Sequence, residues 1–228
     1  MNENKNILVK IILVFLAIIF WPITLVCFFI WLMYFVIKSE AKRISFPGND
    51  AEYRVNRRLQ TLDENEYTVF HNICLPSNGN TEITQIDHIV VSRFGIFCIE
   101  TKGQSGWIFG SKNRKYWTEV IYRNKYRLYN PIWQNYAHIK AIEYLIGDKL
   151  KAPIVPFLVF PNSEKIKVDD CDLVGNGTEI LDKIRYYSTQ IYDIDEYIEI
   201  CNKIDSANIT DKEALKIHNN EVRSLENK

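Results

Sequence analysis

The residues most able to do chemistry together are Asp87, Glu100 and Lys102. Asp87 interrupts the apolar run Gln85-Ile-Asp-His-Ile-Val-Val91, while Glu100 and Lys102 close the run Gly95-Ile-Phe-Cys-Ile-Glu-Thr-Lys102. Both runs have strand composition, and the short break from Ser92 to Gly95 predicts a hairpin. Strand side chains alternate faces, which groups Ile83, Gln85, Asp87, Ile89 and Val91 on one strand and Ile96, Cys98, Glu100 and Lys102 on the other. If Val91 sits opposite Ile96, Asp87 falls opposite Glu100, with Lys102 two residues along. Like charges directly opposite are unfavourable on a sheet. A hard divalent cation, Mg²⁺ or Mn²⁺, held by Asp87 and Glu100 would remove the repulsion and bind water and phosphate oxygens. Lys102 would then position or help deprotonate the attacking water, or stabilise charge on the phosphate. The plain alternative is a Glu–Lys pair at a strand end with Asp87 at an edge.

Other residues gather around this trio in sequence logic. A helix expected over Ala51 to Leu62 carries Val55, Leu59 and Leu62 on one stripe, and Glu52 shares it. Glu52 is either a first-turn carboxylate favoured by the helix dipole or a functional carboxylate turned inward. Asn130-Pro131 gives an N-cap and a first-turn proline for a helix reaching Ile146. Gln134 lies in its first turn, where free N–H groups favour an anion, or else is a capping amide. His138, one turn on, admits the same two readings, and His88 reads as a packed or hydrogen-bonded histidine, not a ligand, on the face opposite Asp87. Between them, Lys112, Arg114, Lys115, Arg123, Lys125 and Arg127 are interleaved with Tyr116, Trp117, Tyr122 and Tyr126, and Glu119 is the segment's acid. Bases and aromatics in that mixture suit a nucleic-acid backbone and stacked bases; a solvated hairpin beside an aromatic core has the same composition.

These motifs resemble the nuclease-related domain, NERD, of the PD-(D/E)xK restriction-endonuclease-like superfamily. The likeness rests on Gln85 to Val91, Gly95 to Lys102, and Asn130-Pro-Ile-Trp-Gln-Asn135 followed by His138 and Lys140, and it extends over about Gly48 to Phe160. It implies an α/β fold with a mixed sheet flanked by helices, and Mg²⁺-dependent cleavage of phosphodiesters, with DNA as the expected partner. By position, Asp87 matches the first motif acid, Glu100 and Lys102 the ExK pair, Glu52 the acid of the opening helix motif, and Gln134 the polar residue of the later helix. Ala51 stands where the family usually has glycine. The alternative of another class is a catalytically inactive nucleic-acid-binding or membrane scaffold module that keeps the nuclease fold.

The remaining elements frame this core. Strands are expected at Tyr67 to Leu75, Gly106 to Gly110, Tyr116 to Ile121 (these last two a hairpin) and, wholly apolar and buried, Ile154 to Phe160. Ser45 to Asp50 reads as a linker and Pro76 to Asn80 as a turn. From Thr178 onward the chain reads as a helical, acidic tail, with a capping box at Thr210 to Glu213.

Bulk composition sets limits. Net charge is zero, but residues 1–161 carry 19 basic against 13 acidic groups and residues 162–228 carry 9 against 15. A neutral total therefore does not exclude an anionic ligand on the first part, and the acidic tail could meet a protein partner or cover the site. The cysteines at 27, 74, 98, 171 and 201 form no CxxC pair, which argues against a disulfide framework or a zinc ribbon and fits a reducing compartment. Ile11 to Ile37 holds no charged residue over 27 positions. As a helix it would extend about 40 Å, enough to cross a bilayer once with tilt, with Trp21, Trp31 and Tyr34 as interface anchors and Pro22 as a kink or the bend of a re-entrant hairpin. Lys38, Lys42 and Arg43 follow it, and the positive-inside tendency places the body in the cytoplasm. The expected organisation is an anchor at 1–44, a nuclease-like domain at 48–161 and an acidic, mainly helical extension at 162–228.

Overall fold

The structure, a computed structural model, describes residues 28, 29, 31, 33, 47–77, 82–169 and 171–211. The chain divides into two compact units, Met1–Pro47 and Gly48–Lys228. In the first, Phe28, Phe29, Trp31 and Met33 are helical and exposed. Among the described residues no helix is long and apolar enough to cross a membrane. Most of the expected span, its kink at Pro22 and its flanking lysines lie outside the described residues, as do Lys212 and Glu213 of the expected capping box.

The second unit opens with α1, Pro47–Leu59. The helix starts inside the stretch expected to be a linker, because proline is well suited to a first turn, where its missing N–H costs nothing. It also stops at Leu59; Leu62 is buried on a following turn closed by a 3.0 Å bond from its N–H to the Leu59 carbonyl. A three-stranded antiparallel meander follows: β1 (Tyr67–Pro76), β2 (Ile83–Ser92) and β3 (Gly95–Thr101). Next come β4 (Trp107–Ser111), β5 (Tyr116–Ile121) and β6 (Asn124–Tyr129). The helix α2, Pro131–Ile146, has its N-cap at Asn130 as expected. Then follow β7 (Val155–Val159), β8 (Lys165–Asp169), β9 (Val174–Gly175), α3 (Ile180–Arg185) and α4 (Ile194–Ala207).

The strands form two mixed sheets. The first has the order β1-β2-β3-β7-β9, antiparallel through β3 and parallel from β3 to β9; the second has the order β6-β5-β4-β8. The first is covered on both faces. Ile89, Val91, Ile96 and Cys98 pack with Ile139 and Ile142 of α2 and Ile200 and Ile204 of α4. Val90, Phe97 and Ile99 pack with Val55 and Leu59 of α1 and Ile180 and Ile184 of α3. The second sheet covers one face only, where Ile108, Trp117, Leu128 and Ile166 meet Leu158 and Phe160 at the end of β7. Close approach at that face requires glycine at 110: a Cβ there would come within 2.3 Å of the Trp117 indole.

Two expectations change beyond residue 161. The stretch expected to be a mainly helical extension also supplies β8 to the second sheet and β9 to the first, and its helix α4 packs into the core.

Candidate active site

Glu100 is next to last in β3 and 2% exposed. One oxygen, Oε1, meets Lys102 Nζ at 2.8 Å, and the other, Oε2, lies 3.1 Å from His138 Nε2. Lys102 Nζ also donates to Gln134 Oε1 at 2.7 Å, and His138 Nδ1 shares a 2.7 Å hydrogen bond with Thr84 Oγ1. A network thus joins β2, the end of β3 and the first turns of α2. Burial alone would raise the pKa of Glu100, but Lys102 and His138 outweigh it and hold the carboxyl at about 2.

Asp87 comes to Glu100 by the expected register. The antiparallel pairs run from Ser92–Gly95 to His88–Ile99, and the next step sets Asp87 opposite Glu100. The ladder stops there because Asp87 Oδ2 accepts the Thr101 backbone N–H at 2.7 Å. Burial first, and the Glu100 charge second, push the Asp87 pKa well above the ordinary carboxylate range. Glu52, half-buried on α1, has its pKa raised by burial and by Glu100, with Lys102 opposing. The fold therefore brings Glu52, Asp87, Glu100, Lys102 and Gln134 into one neighbourhood.

Strict alternation fails at this point. Asn72 of β1 takes φ 54, and the register that pairs His71 with His88 and Ile73 with Ile86 leaves Asn72 and Asp87 unpaired between them. Ile86 accordingly joins Ile89 and Val91 in the same apolar cluster, although two residues of opposite parity would otherwise face different layers. His88 is fully buried as a packed histidine, and neither ring nitrogen has a hydrogen-bond partner among the described residues. Its ring lies 5.2 Å from that of His71, and burial, with His71 adding, holds its pKa at about 3.

Sequence reasoning missed the role of Asn135 and the second role of Asn130, beyond its cap. Asn135 is buried, and its Nδ2 donates to the Cys98 carbonyl at 3.2 Å and the Phe157 carbonyl at 3.1 Å, clamping α2 to β3 and β7. Asn130 caps α2 by accepting the Ile132 N–H at 3.0 Å, and its Nδ2 reaches the carbonyls of Lys112 and Arg114 at 3.1 and 2.8 Å. It thereby ties the basic β4–β5 turn to the helix that carries Gln134 and His138. The available signal was two asparagines five residues apart, at 130 and 135, around the start of the helix.

Of the six residues expected to touch nucleic acid, Lys112, Arg114 and Lys115 lie in that turn, Arg123 at the β5–β6 turn, and Lys125 and Arg127 on β6; all are exposed. Arg123 belongs to the far end of its hairpin, roughly 17 Å of strand from the start of α2.

Among the described residues no group of three or more His, Cys, Asp or Glu side chains is arranged to hold a metal ion. The donor set nonetheless fits a cation of the Mg²⁺ type, which takes one or two carboxylates and completes its shell with water and phosphate oxygens. Asp87, forced towards neutrality by burial and by Glu100, is the group such a cation would relieve.

A buried acid–lysine site on a mixed sheet flanked by helices defines a nuclease-like α/β domain. The nuclease-related domain, NERD, matches residues 47–161. An uncharacterized protein of Bacillus anthracis is 36% identical over 198 residues, 85% of this chain and 89% of that protein. The chain belongs to the NERD family. A crystal structure of a protein of unknown function aligns over 78% of this chain and 100% of its own, at 12% identity and a TM-score of 0.31.

Proposed function

We propose that this chain is a Mg²⁺-dependent nuclease that hydrolyses phosphodiester bonds of DNA, tethered by residues 11–37 to the cytoplasmic face of a membrane. The observation that carries the reading is the burial of Glu100 against Lys102, with Asp87 held opposite at a raised pKa. Two like charges and an ammonium are expensive to bury for structure alone.

Asp87 and Glu100 would hold the cation. Bound there, it supplies charge neutralisation at the phosphate and a more acidic water. Lys102, fixed by Glu100 and Gln134, stands ready to orient the nucleophile and to stabilise developing negative charge. His138, held from behind by Thr84, keeps Glu100 ionised and oriented. Glu52 adds a third carboxylate whose raised pKa suits proton transfer.

One observation favours a second reading, a binding module without turnover: Glu100 already has a partner at each oxygen, Lys102 Nζ at 2.8 Å and His138 Nε2 at 3.1 Å. The test uses the full chain in detergent with linear, circular and single-stranded DNA and with RNA, in Mg²⁺, Mn²⁺ or EDTA. The expected outcome is metal-dependent cleavage lost in both Asp87→Ala and Lys102→Ala. Cleavage that persists in both variants overturns the assignment, and binding without cleavage identifies the module. The tether is checked by fractionation: the chain should resist a high-salt wash of membranes and lose that resistance on deletion of residues 11–37.

A further inference from the structure

The second sheet has two unlike faces. Residues paired across a sheet share a face, so the register Trp117–Leu128, Ile108–Glu119 and Ile108–Ile166 defines the inner one, which packs on the core. The same register places Trp107, Phe109, Tyr116 and Tyr129 together on the outer face. Burying rings would be the ordinary use of aromatic residues, yet Trp107, Tyr116 and Tyr129 are 44%, 36% and 49% exposed.

Charge is laid out in register with these rings. Lys125 and Arg127 lie on the outer face of β6, one edge strand, and Lys165 and Lys167 on the outer face of β8, the other. Two acids adjoin this face: Asp169 at the end of β8, and Glu164, whose Oε2 accepts the Trp107 Nε1–H at 3.1 Å. Several cations already stack: Arg127 lies 3.5 Å above the Tyr116 ring and Lys165 4.7 Å above Trp107. The aromatic surface continues off the sheet, with Tyr116 to Tyr129 and Tyr129 to Trp133 each 6.1 Å between ring centroids. Trp133 belongs to the first turn of α2, beside Gln134, and its Nε1 is held by the Lys112 carbonyl at 3.1 Å.

We infer that the outer face of the β6-β5-β4-β8 sheet binds single-stranded nucleic acid, stacking unpaired bases on Trp107, Phe109, Tyr116 and Tyr129 while the cations of the edge strands hold the phosphates. Rings on β4, β5 and the end of β6, with cations along both edge strands, match a flexible polyanion with exposed base faces. A duplex hides those faces within its own stack and offers the sheet only phosphates. A bilayer surface would ask for a continuous apolar patch, whereas here a cation stacks on Tyr116 and another on Trp107. The inference names the substrate class of the proposed nuclease and rests on that reading for the fate of the bound strand.

The test uses the full chain in detergent with EDTA, and fluorescein-labelled oligo-dT, oligo-rU and a duplex of equal length. Fluorescence anisotropy should report single strands bound about tenfold or more tightly than duplex. The double variant Trp107→Ser/Tyr129→Ser should weaken single-strand binding by about tenfold or more with its thermal melt unchanged. Equal affinity for duplex and single strand overturns the inference, as does a double variant that binds like the parent. So does a double variant that loses only its binding to phosphatidylserine vesicles. Cleavage by the parent in Mg²⁺ is read separately: tight single-strand binding with no cleavage supports this face while removing the nuclease reading.

Discussion

The two sheets handle polar residues in opposite ways. In the first sheet the charged groups are sealed: Glu100 is 2% exposed and held by Lys102 and His138, themselves held by Gln134 of α2 and Thr84 of β2. In the second, the cations stand in water on an open face and lie over rings. Burying a carboxylate costs several kcal/mol unless it is paired, whereas leaving a lysine on an exposed strand costs almost nothing. A buried polar cluster is therefore the stronger mark of chemistry, and an exposed one gains meaning only through its pattern. The pattern here is rings on β4, β5 and the end of β6, with cations along both edge strands.

The comparison breaks first, and by the largest amount, at Glu100. Glu100→Ala removes the carboxylate that pairs with Lys102 and lies beside His138, and should destabilise the fold by about 3 kcal/mol, as for a broken buried pair, measured by chemical denaturation. A change within about 0.5 kcal/mol, the range of an ordinary surface substitution, would show that the network is no more demanding than the open face.

His88 tests the same region by pH. Its pKa of about 3 lies below the ordinary value of 6.5, so the folded state keeps it neutral while the unfolded chain takes up a proton. Stability is thus complete above pH 6.5 and is lost as the pH falls from 6.5 towards 3. The slope from this one group approaches about 1.4 kcal/mol per pH unit. His88→Phe should flatten the acid limb of a denaturation-against-pH profile by that amount; an unchanged limb would place the titration elsewhere.

How much of this was legible in the sequence follows the range of the interactions. The Asp87–Glu100 register could be read because a tight hairpin joins two apolar strands and fixes the pairing locally. The α2 helix could be read because Asn130-Pro131 signals its start within two residues. By contrast, β6 is exposed on nearly every residue and shows no apolar alternation, and β8 and β9 exist by pairing in parallel with β4 and β7, far off in sequence. The break in alternation at Asn72 and Asp87 goes with one left-handed backbone angle, which periodicity does not encode, while the register on either side is the same. The outer face of the second sheet was half visible: its cations on β6 stood out, but Trp107 and Lys165 become neighbours only when β8 crosses to β4.

Asp87 sharpens the contrast with a smaller effect of opposite sign to that at Glu100. Its raised pKa means that ionisation is disfavoured in the fold, so the stability this group gives is complete below its ordinary value of 3.8 and is lost as the pH rises through the folded value. Asp87→Asn should therefore raise the melting temperature at pH 8 in EDTA by about 2–4 °C, the shift expected for about 1 kcal/mol, while abolishing cleavage. Added Mg²⁺ should raise the melting temperature of the parent and not of this variant. A variant that melts lower than the parent in EDTA would mean that the bond from the Thr101 N–H outweighs the repulsion from Glu100.

The smallest effect belongs to the open face. Lys125 is exposed on β6, with Arg127 alongside stacking on Tyr116, over which Lys115 also lies. Lys125→Ala should leave stability within about 0.5 kcal/mol, because no buried group loses a partner. Its expected signature is electrostatic: the slope of log affinity against log salt for oligo-dT should fall by about one unit at most, because one phosphate goes without its cation. The same substitution should leave the metal-dependent rate at saturating substrate unchanged, because it lies on the sheet that positions the strand and not on the one that carries the carboxylates. A fall in that rate with the salt slope intact would assign Lys125 to the reacting centre and erase the division of labour between the two sheets.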